Sequence, residues 1–299
     1  TRFPEGRNLT ECSVLTTFEH LEHIQDINRL ITYKYDLPAR FPRKVETETK
    51  ALPSLPQAVE HVDLSAVHHV TIDGESARDF DDAVAVVKDR SGFTLYVSIA
   101  AVGSFVSPLT DLDREAFSRG TSIYLPGTVI PMLPRRLSND LCSLNPLADR
   151  LTMTVQLGYD LSGRRTETSL YPSRIRSSGR LTYRDVEEAL LGGNGKARGR
   201  LAAHLPHLEI MAELASLLIS HREKEGTLDF DLPEPEILTD TGGTIQDIVR
   251  STRLFSHRII EEFMIAANHA VAEYCDRHSV PAIYRVHESP DAEKIRDVE

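Results

Sequence analysis

Residues 70–83 read Val70-Thr-Ile-Asp73-Gly-Glu-Ser-Ala-Arg-Asp79-Phe-Asp81-Asp82-Ala83. The run begins as a short apolar strand and then carries four aspartates, spaced by six, two and one residues. Packing like charges into a small volume is costly unless something neutralises them. Hard divalent cations such as Mg²⁺ or Mn²⁺ prefer carboxylate oxygens as ligands, so the run favours a metal site. Gly74 would let the backbone turn sharply after Asp73 and bring the later aspartates back towards it.

Other interpretations of the same run are weaker. An EF-hand loop is excluded, because its fifth, sixth and twelfth positions would be Ala77, Arg78 and Val84. A phosphatase with an aspartate nucleophile is disfavoured, because Arg78 rather than an apolar strand precedes Asp79. An acidic surface turn without function remains open on the residues alone.

The rest of the chain alternates between blocks of strand and helix patterning. Apolar periodicity and turn residues predict strands at 67–73, 83–88, 93–101, 151–159, 166–175 and 280–286. The same reasoning predicts helices at 18–34, 44–51, 111–118, 183–191, 205–224 and 252–278, with Asp111 as the cap of the third. Strict βαβ alternation is absent, which favours an α+β fold. A proline-rich connector places a boundary near residue 62, after a helical N-terminal region of residues 1–61.

Composition narrows the class of protein. The 299 residues are 40% hydrophobic, which is too apolar for a disordered chain, and their longest apolar runs are too short to span a bilayer. Three isolated cysteines argue against a disulfide scaffold or a cysteine-rich zinc site and favour the reducing cytoplasm. A net charge of −11 argues against an unspecific nucleic-acid coat, although residues 160–200 are locally basic.

Several ordered blocks then resemble one family. The acidic run is similar to the motif of the ribonuclease II/ribonuclease R exoribonucleases, whose catalytic domain is the RNB domain. Blocks further along the chain agree: Gly120-Thr-Ser-Ile-Tyr124-Leu-Pro-Gly127, Leu137-Ser-Asn-Asp-Leu-Cys-Ser-Leu-Asn145, Glu261-Glu262-Phe-Met-Ile-Ala-Ala-Asn268 and Tyr284-Arg-Val-His-Glu288. The resemblance implies a mixed, largely antiparallel sheet packed by helices over residues 62–299.

The resemblance also implies a function and a set of site residues. It implies processive 3′→5′ hydrolysis of single-stranded RNA to nucleoside 5′-monophosphates, with Mg²⁺ and water held by Asp73, Asp79, Asp81 and Asp82, and Mn²⁺ as a possible substitute. Tyr124 matches a tyrosine that packs on the terminal base, Phe230 an aromatic at the other end of the base stack, and Glu262 a glutamate that contacts RNA. Each has a structural alternative, since Tyr124 could be a core aromatic and Glu262 a solvated helix residue.

The chain also departs from the family pattern. A later block whose arginine helps to hold the phosphate does not follow Ser289-Pro290, and no S1 barrel is present, so we expect a segment of a longer enzyme. Loss of such a charge would lower the rate on the order of 10²–10³-fold. The competing hypothesis is therefore an RNA-binding or scaffold protein with the same fold but without turnover. No tight protein partner and no membrane are implied.

Overall fold

The computed structural model describes residues 14, 16–18, 21–56, 60–192, 195–227, 235–286 and 296. None of the helices in this part of the chain is long and apolar enough to cross a membrane. The strands are β1 (Val62–Asp63), β2 (Val70–Asp73), β3 (Asp82–Lys88), β4 (Gly92–Ala100), β5 (Ile123–Leu125), β6 (Thr128–Ile130), β7 (Asp149–Asp160), β8 (Arg165–Arg176), β9 (Gly179–Thr182), β10 (Pro235–Thr239) and β11 (Ile245–Arg250). The helices are α1 (Ile24–Lys34), α2 (Arg43–Ala51), α3 (Asp111–Arg119), α4 (Tyr183–Leu191), α5 (Gly195–Arg200), α6 (Leu205–Lys224) and α7 (Phe255–Arg277), with a π-helical turn at Leu137–Leu141.

A sheet of seven strands forms the centre of the fold, in the order β1-β8-β7-β4-β3-β2-β9. The inner pairs are antiparallel, and only the two edge strands, β1 and β9, run parallel to their neighbours. The tight turn between β3 and β4 requires Gly92, because a Cβ there would lie 1.9 Å from the carbonyl oxygen of Tyr159. The predicted α+β class with a largely antiparallel sheet is confirmed.

Alternation along the strands places apolar side chains on both faces of this sheet. In β4, Leu95 and Val97 belong to a core shared with α4, α5, α6 and α7. Ala100 at the end of the same strand belongs to a second core, which includes Val45 of α2 and Leu112 of α3. The sheet is therefore covered on both faces, and all the covering helices except α5 were predicted from the sequence.

Most predicted elements are present, but their ends differ in places. Helix α4 spans the predicted residues, and Gly192 ends it with a φ of 83°, a left-handed conformation that glycine adopts without a steric penalty. Helix α3 also forms, but the prediction that Asp111 caps it is wrong. Thr110 is the cap, because its Oγ1 accepts a hydrogen bond from the Asp113 amide at 3.2 Å.

The predicted strand at 280–286 is wrong. This segment has no strand pairing among the described residues, and its apolar side chains are exposed, Ile283 completely. Alternating apolar residues form a strand only where a neighbouring strand satisfies their backbone groups, and among the described residues none pairs with this segment.

An arginine fastens the connector between α1 and α2 to the body of the protein. The Arg119 guanidinium donates hydrogen bonds to the carbonyl oxygens of Pro38 at 2.7 Å, Arg40 at 2.8 Å and Pro131 at 3.1 Å. It also stacks on the ring of Phe41 with 3.7 Å between its Cζ and the ring centroid. Several donors on one planar group let a single side chain bind three backbone carbonyl groups in two segments.

A second arginine fastens the end of α2 in the same way. Arg136 donates to the carbonyl oxygens of Thr49 at 2.6 Å and Leu52 at 2.7 Å. These carbonyls belong to the last turn of the helix and the residue after it, where oxygens lack a partner within the helix.

A chain of buried polar side chains crosses the sheet beneath the second core. His69, Ser98, Thr154 and Ser173 are all fully buried and are linked in that order by hydrogen bonds of 3.1, 2.7 and 2.6 Å. Because His69 Nδ1 lies 3.2 Å from the Val67 carbonyl oxygen, which can only accept, Nδ1 carries the proton and Nε2 accepts from Ser98. The imidazole is therefore neutral, and its burial lowers the pKa of His69 to about 4.

This arrangement predicts a loss of stability in acid. A histidine in the unfolded chain titrates near pH 6.5, so between that pH and about 4 the unfolded chain binds the extra proton more readily. We expect His69 to lower the free energy of unfolding by on the order of 2–3 kcal/mol as the pH falls through this window. Glutamine can accept the same hydrogen bond but does not titrate. Urea unfolding of the wild type and of His69→Gln at pH 7, 5.5 and 4.5 measures the effect. The free energy of unfolding of the variant, relative to that of the wild type, should rise as the pH falls. A difference that stays constant with pH would contradict the assignment.

Candidate active site at one end of the sheet

Two of the four aspartates are placed by the ends of neighbouring strands. Asp73 is the last residue of β2, and Asp82 is the first residue of β3. Because these strands are antiparallel, the last residue of β2 and the first residue of β3 lie at the same end of the sheet. Asp73 also lies opposite Thr182 of β9, the residue that caps α4.

The loop that carries the other two aspartates is anchored through its backbone. The Phe80 amide donates to Ser143 Oγ at 3.1 Å, and the Phe80 carbonyl oxygen accepts from the Leu144 amide at 2.8 Å. The Phe80 side chain is 4% exposed and belongs to the second core, and the Ala100 amide donates to the Asp81 carbonyl oxygen at 2.9 Å. These bonds return the loop to the sheet, so that Asp79 and Asp81 lie beside Asp73 and Asp82 as predicted.

The electrostatics show that the four carboxylates share one environment. Loss of water, together with the charges of Asp82, Asp79 and Asp81, raises the pKa of Asp73 from 3.8 to about 7. Loss of water and the preceding aspartate likewise raise the pKa of Asp81 and of Asp82. The cluster is therefore short of positive charge, and Asp73 titrates near neutral pH.

Tyr124 contacts this cluster from a separate hairpin. It lies on β5, opposite β6, and its hydroxyl donates to Asp79 Oδ2 at 3.0 Å. Tyr124 is 65% exposed, so the alternative that it is a core aromatic is wrong. Asn28 of α1 supports the hairpin by donating to the Pro126 carbonyl oxygen at 2.8 Å.

Tyr183 is a neighbour of the site that sequence reasoning missed. It is the first residue of α4, and its ring stacks on His257 of α7 with 4.0 Å between the centroids. Burial raises its pKa to about 12, and the charges of Asp73 and Asp82 contribute. The sequence predicts Tyr183 only as the first residue of a helix. About 100 residues separate it from the aspartates, and no local pattern connects the two.

Glu262 has its described polar contact with another helix and not with the aspartates. Glu262 of α7 is 6% exposed, and its Oε1 forms an ion pair with Nη1 of Arg222 on α6 at 2.6 Å. The alternative of a solvated glutamate is therefore wrong. Its contact with RNA stays a prediction. Phe230 lies outside the described residues.

No metal-binding geometry is preformed. In the part of the chain that the structure describes, no group of three or more histidine, cysteine, aspartate or glutamate side chains is arranged to hold a metal ion. The Asp79 carboxylate instead accepts the Tyr124 hydroxyl.

Comparison with known proteins identifies the family. A family model described as the RNB domain matches residues 61–299. The chain belongs to the RNB domain family. Ribonuclease R of Thermotoga maritima is 42% identical to it over 275 residues, which cover 89% of this chain and 38% of that protein. Ribonuclease R of Aquifex aeolicus is 40% identical over 302 residues, which cover 100% of this chain and 43% of that protein. The resemblance that the motifs indicated is confirmed.

A solved structure agrees with this assignment. RNase R of Mycoplasma genitalium, in complex with ribose-methylated single-stranded RNA, superposes with a TM-score of 0.83 at 29% identity. The match covers 92% of this RNB chain and 43% of that protein. The chain therefore spans less than half the length of these three relatives, and the activity of a whole relative is a proposal for it.

The strained carboxylates of this RNB domain predict a gain in stability on neutralisation. Because the folded pKa of Asp73 is raised from 3.8 to about 7, its favourable effect on stability is present in acid and is lost as the pH rises through 7. We expect Asp73→Asn, in the presence of a chelator, to raise the free energy of unfolding at pH 8 by about 1–2 kcal/mol after solvent screening. The gain should shrink at pH 5.

The control is Asp276→Asn, the same chemical change on an exposed residue at the end of α7. Urea unfolding of the three proteins at both pH values measures the effect. An equal gain from Asp73→Asn at pH 5 and pH 8 would contradict the electrostatic explanation.

Proposed function

We propose that residues 62–299 form the catalytic domain of a 3′→5′ exoribonuclease, with residues 1–61 as its helical lead-in. The enzyme hydrolyses single-stranded RNA processively and releases nucleoside 5′-monophosphates. The observation that carries the proposal is the gathering of four carboxylates at one end of the sheet, where burial and the charges of the other three aspartates raise the pKa of Asp73 to about 7. Membership of the RNB domain family and relatives named Ribonuclease R support it.

The donor chemistry of the cluster fits Mg²⁺, with Mn²⁺ as a substitute. All four side chains offer oxygen ligands, and their repulsion is the energy that a divalent cation would offset. We assign Asp73, Asp79, Asp81 and Asp82 as its ligands. A cation bound there would lower the pKa of a water and compensate the charge that develops on the phosphate oxygens, and a pair of cations would do so on both sides of the phosphorus.

The neighbouring residues would bind the substrate. The Tyr124 hydrogen bond to Asp79 holds an exposed aromatic ring beside the carboxylates, where it can stack on a terminal base of any sequence. We assign the opposite end of the base stack to Phe230 and a contact to RNA to Glu262, which Arg222 orients. Preference for RNA would come from contacts to the 2′-hydroxyl. The free thiols Cys142 and Cys275 agree with the reducing cytoplasm.

The proposal predicts cleavage that depends on Asp81. With Mg²⁺, this chain should convert a 5′-labelled single-stranded RNA into a short end product without a ladder, and should leave DNA of the same sequence intact. We expect Asp81→Asn to lower the rate by at least about 10²-fold, because it removes a ligand charge at a phosphoryl-transfer site. Denaturing gels measure the products, and long incubation allows for slow turnover.

Matched variants separate the roles in this assay. Asp276→Asn should leave the rate unchanged, whereas Tyr124→Ala should impair it more than Tyr124→Phe, which keeps the ring. RNA cut internally or from its 5′ end would contradict the proposal. RNA that is bound in a salt-dependent manner but never cut would favour the scaffold hypothesis.

A further inference from the structure

Arg180 reaches from the edge of the sheet to the loop that carries the aspartates. It lies on β9, where it is the register partner of Thr71 on β2. Its Nη2 donates to the carbonyl oxygen of Glu75 at 2.8 Å and to that of Ala77 at 3.2 Å. One side chain thus bonds two backbone groups between Asp73 and Asp79.

The same guanidinium contacts the anchored end of the loop. Its Cζ lies 5.0 Å from the centroid of the Phe80 ring, a distance at which a cation is attracted to the face of an aromatic ring. Ser143 and Leu144 hold the backbone of Phe80 by the hydrogen bonds already described. Arg180 therefore fixes the first half of the loop to the second half.

The charge of Arg180 acts on the carboxylates as well. It opposes the repulsion at Asp73 from the other three aspartates. Apart from the turn bond from the Ala77 amide to the Gly74 carbonyl oxygen at 3.1 Å, the described backbone bonds of residues 74–77 all come from this guanidinium. Arginine suits the task because its donors lie in a rigid plane and it stays charged at all physiological pH values.

We propose that Arg180 is a positioning residue, which preorganises the loop so that Asp79 and Asp81 can converge on the cation bound by Asp73 and Asp82. The inference rests on the proposed function, because it takes these four residues as the ligands. Without Arg180 the loop would have to be ordered when the cation binds, and the cost of ordering would appear as weaker binding. Partners that orient metal ligands change affinity by about 10- to 100-fold when they are removed.

The chain offers a matched control four residues further on. Arg184 also lies beside the loop, but it faces the Glu75 carboxylate at 3.5 Å across an exposed ion pair. Arg184→Gln removes the same charge and the same donors as Arg180→Gln without touching the two carbonyl contacts. Arg180→Lys keeps the charge but loses the planar fork.

Mn²⁺ binding to the 299-residue chain, followed by the electron paramagnetic resonance signal of free Mn²⁺, tests the inference without turnover. We expect Arg180→Gln to weaken the Kd by at least about tenfold at unchanged stoichiometry, Arg180→Lys to fall between it and the wild type, and Arg184→Gln to remain within about twofold of the wild type. A purely structural role would lower the stoichiometry, since less protein would be folded, and would leave the Kd of the folded fraction unchanged.

The outcomes separate this inference from the function on which it rests. If Arg180→Gln binds Mn²⁺ with the same Kd as the wild type, the positioning role is overturned while the metal site stands. If the glutamine variant does not fold, the same result for Arg180→Lys decides. If the wild-type chain shows no saturable Mn²⁺ binding, or if Asp81→Asn leaves that binding unchanged, both the metal site and the role of Arg180 are overturned.

Discussion

Repulsion among four aspartates at one end of a sheet is the constraint on which the rest of the structure depends. Asp73 and Asp82 are fixed by strand ends, and the loop between them is fixed by Phe80, which is buried in the second core. Left to itself, a loop with these charges would open into solvent. Its closed form requires the sheet behind it, the core beneath it and the hydrogen bonds with Ser143, Leu144 and Arg180. The stability of the domain and the chemistry of its site therefore oppose each other at the same residues.

Much of the fold could be predicted because its signals are local. The ends of α4 and α6 lie where the apolar period stops at glycine, and the long strands show clear alternation. The strand β9 has four residues and exists through its pairing with β2, so no pattern within it could reveal it. Residues 280–286 show the opposite failure, since they carry a strand pattern but have no strand partner among the described residues and remain exposed.

The site divides in the same way. The four aspartates lie within ten residues and could be recognised together. Tyr183 and Arg180 reach them through β9 and the start of α4, a proximity that only the parallel pairing with β2 creates. Glu262 was recognised by its motif, but it is buried and paired with Arg222 of another helix, and no local sequence pattern predicts that pairing. Sequence reasoning thus predicted the aspartates and Tyr124, which hydrogen-bonds to Asp79, and missed Tyr183 and Arg180.

Arginines that bind backbone oxygens have a consequence for how this protein can change over generations. Arg119 holds Pro38 and Arg40, Arg136 holds Thr49 and Leu52, and Arg180 holds the loop, in every case through carbonyl groups. Every amino acid supplies a carbonyl, so the fastened positions are free to mutate while each arginine is not. Natural variation should therefore be wide in the connector and narrow at the three residues that fasten these segments.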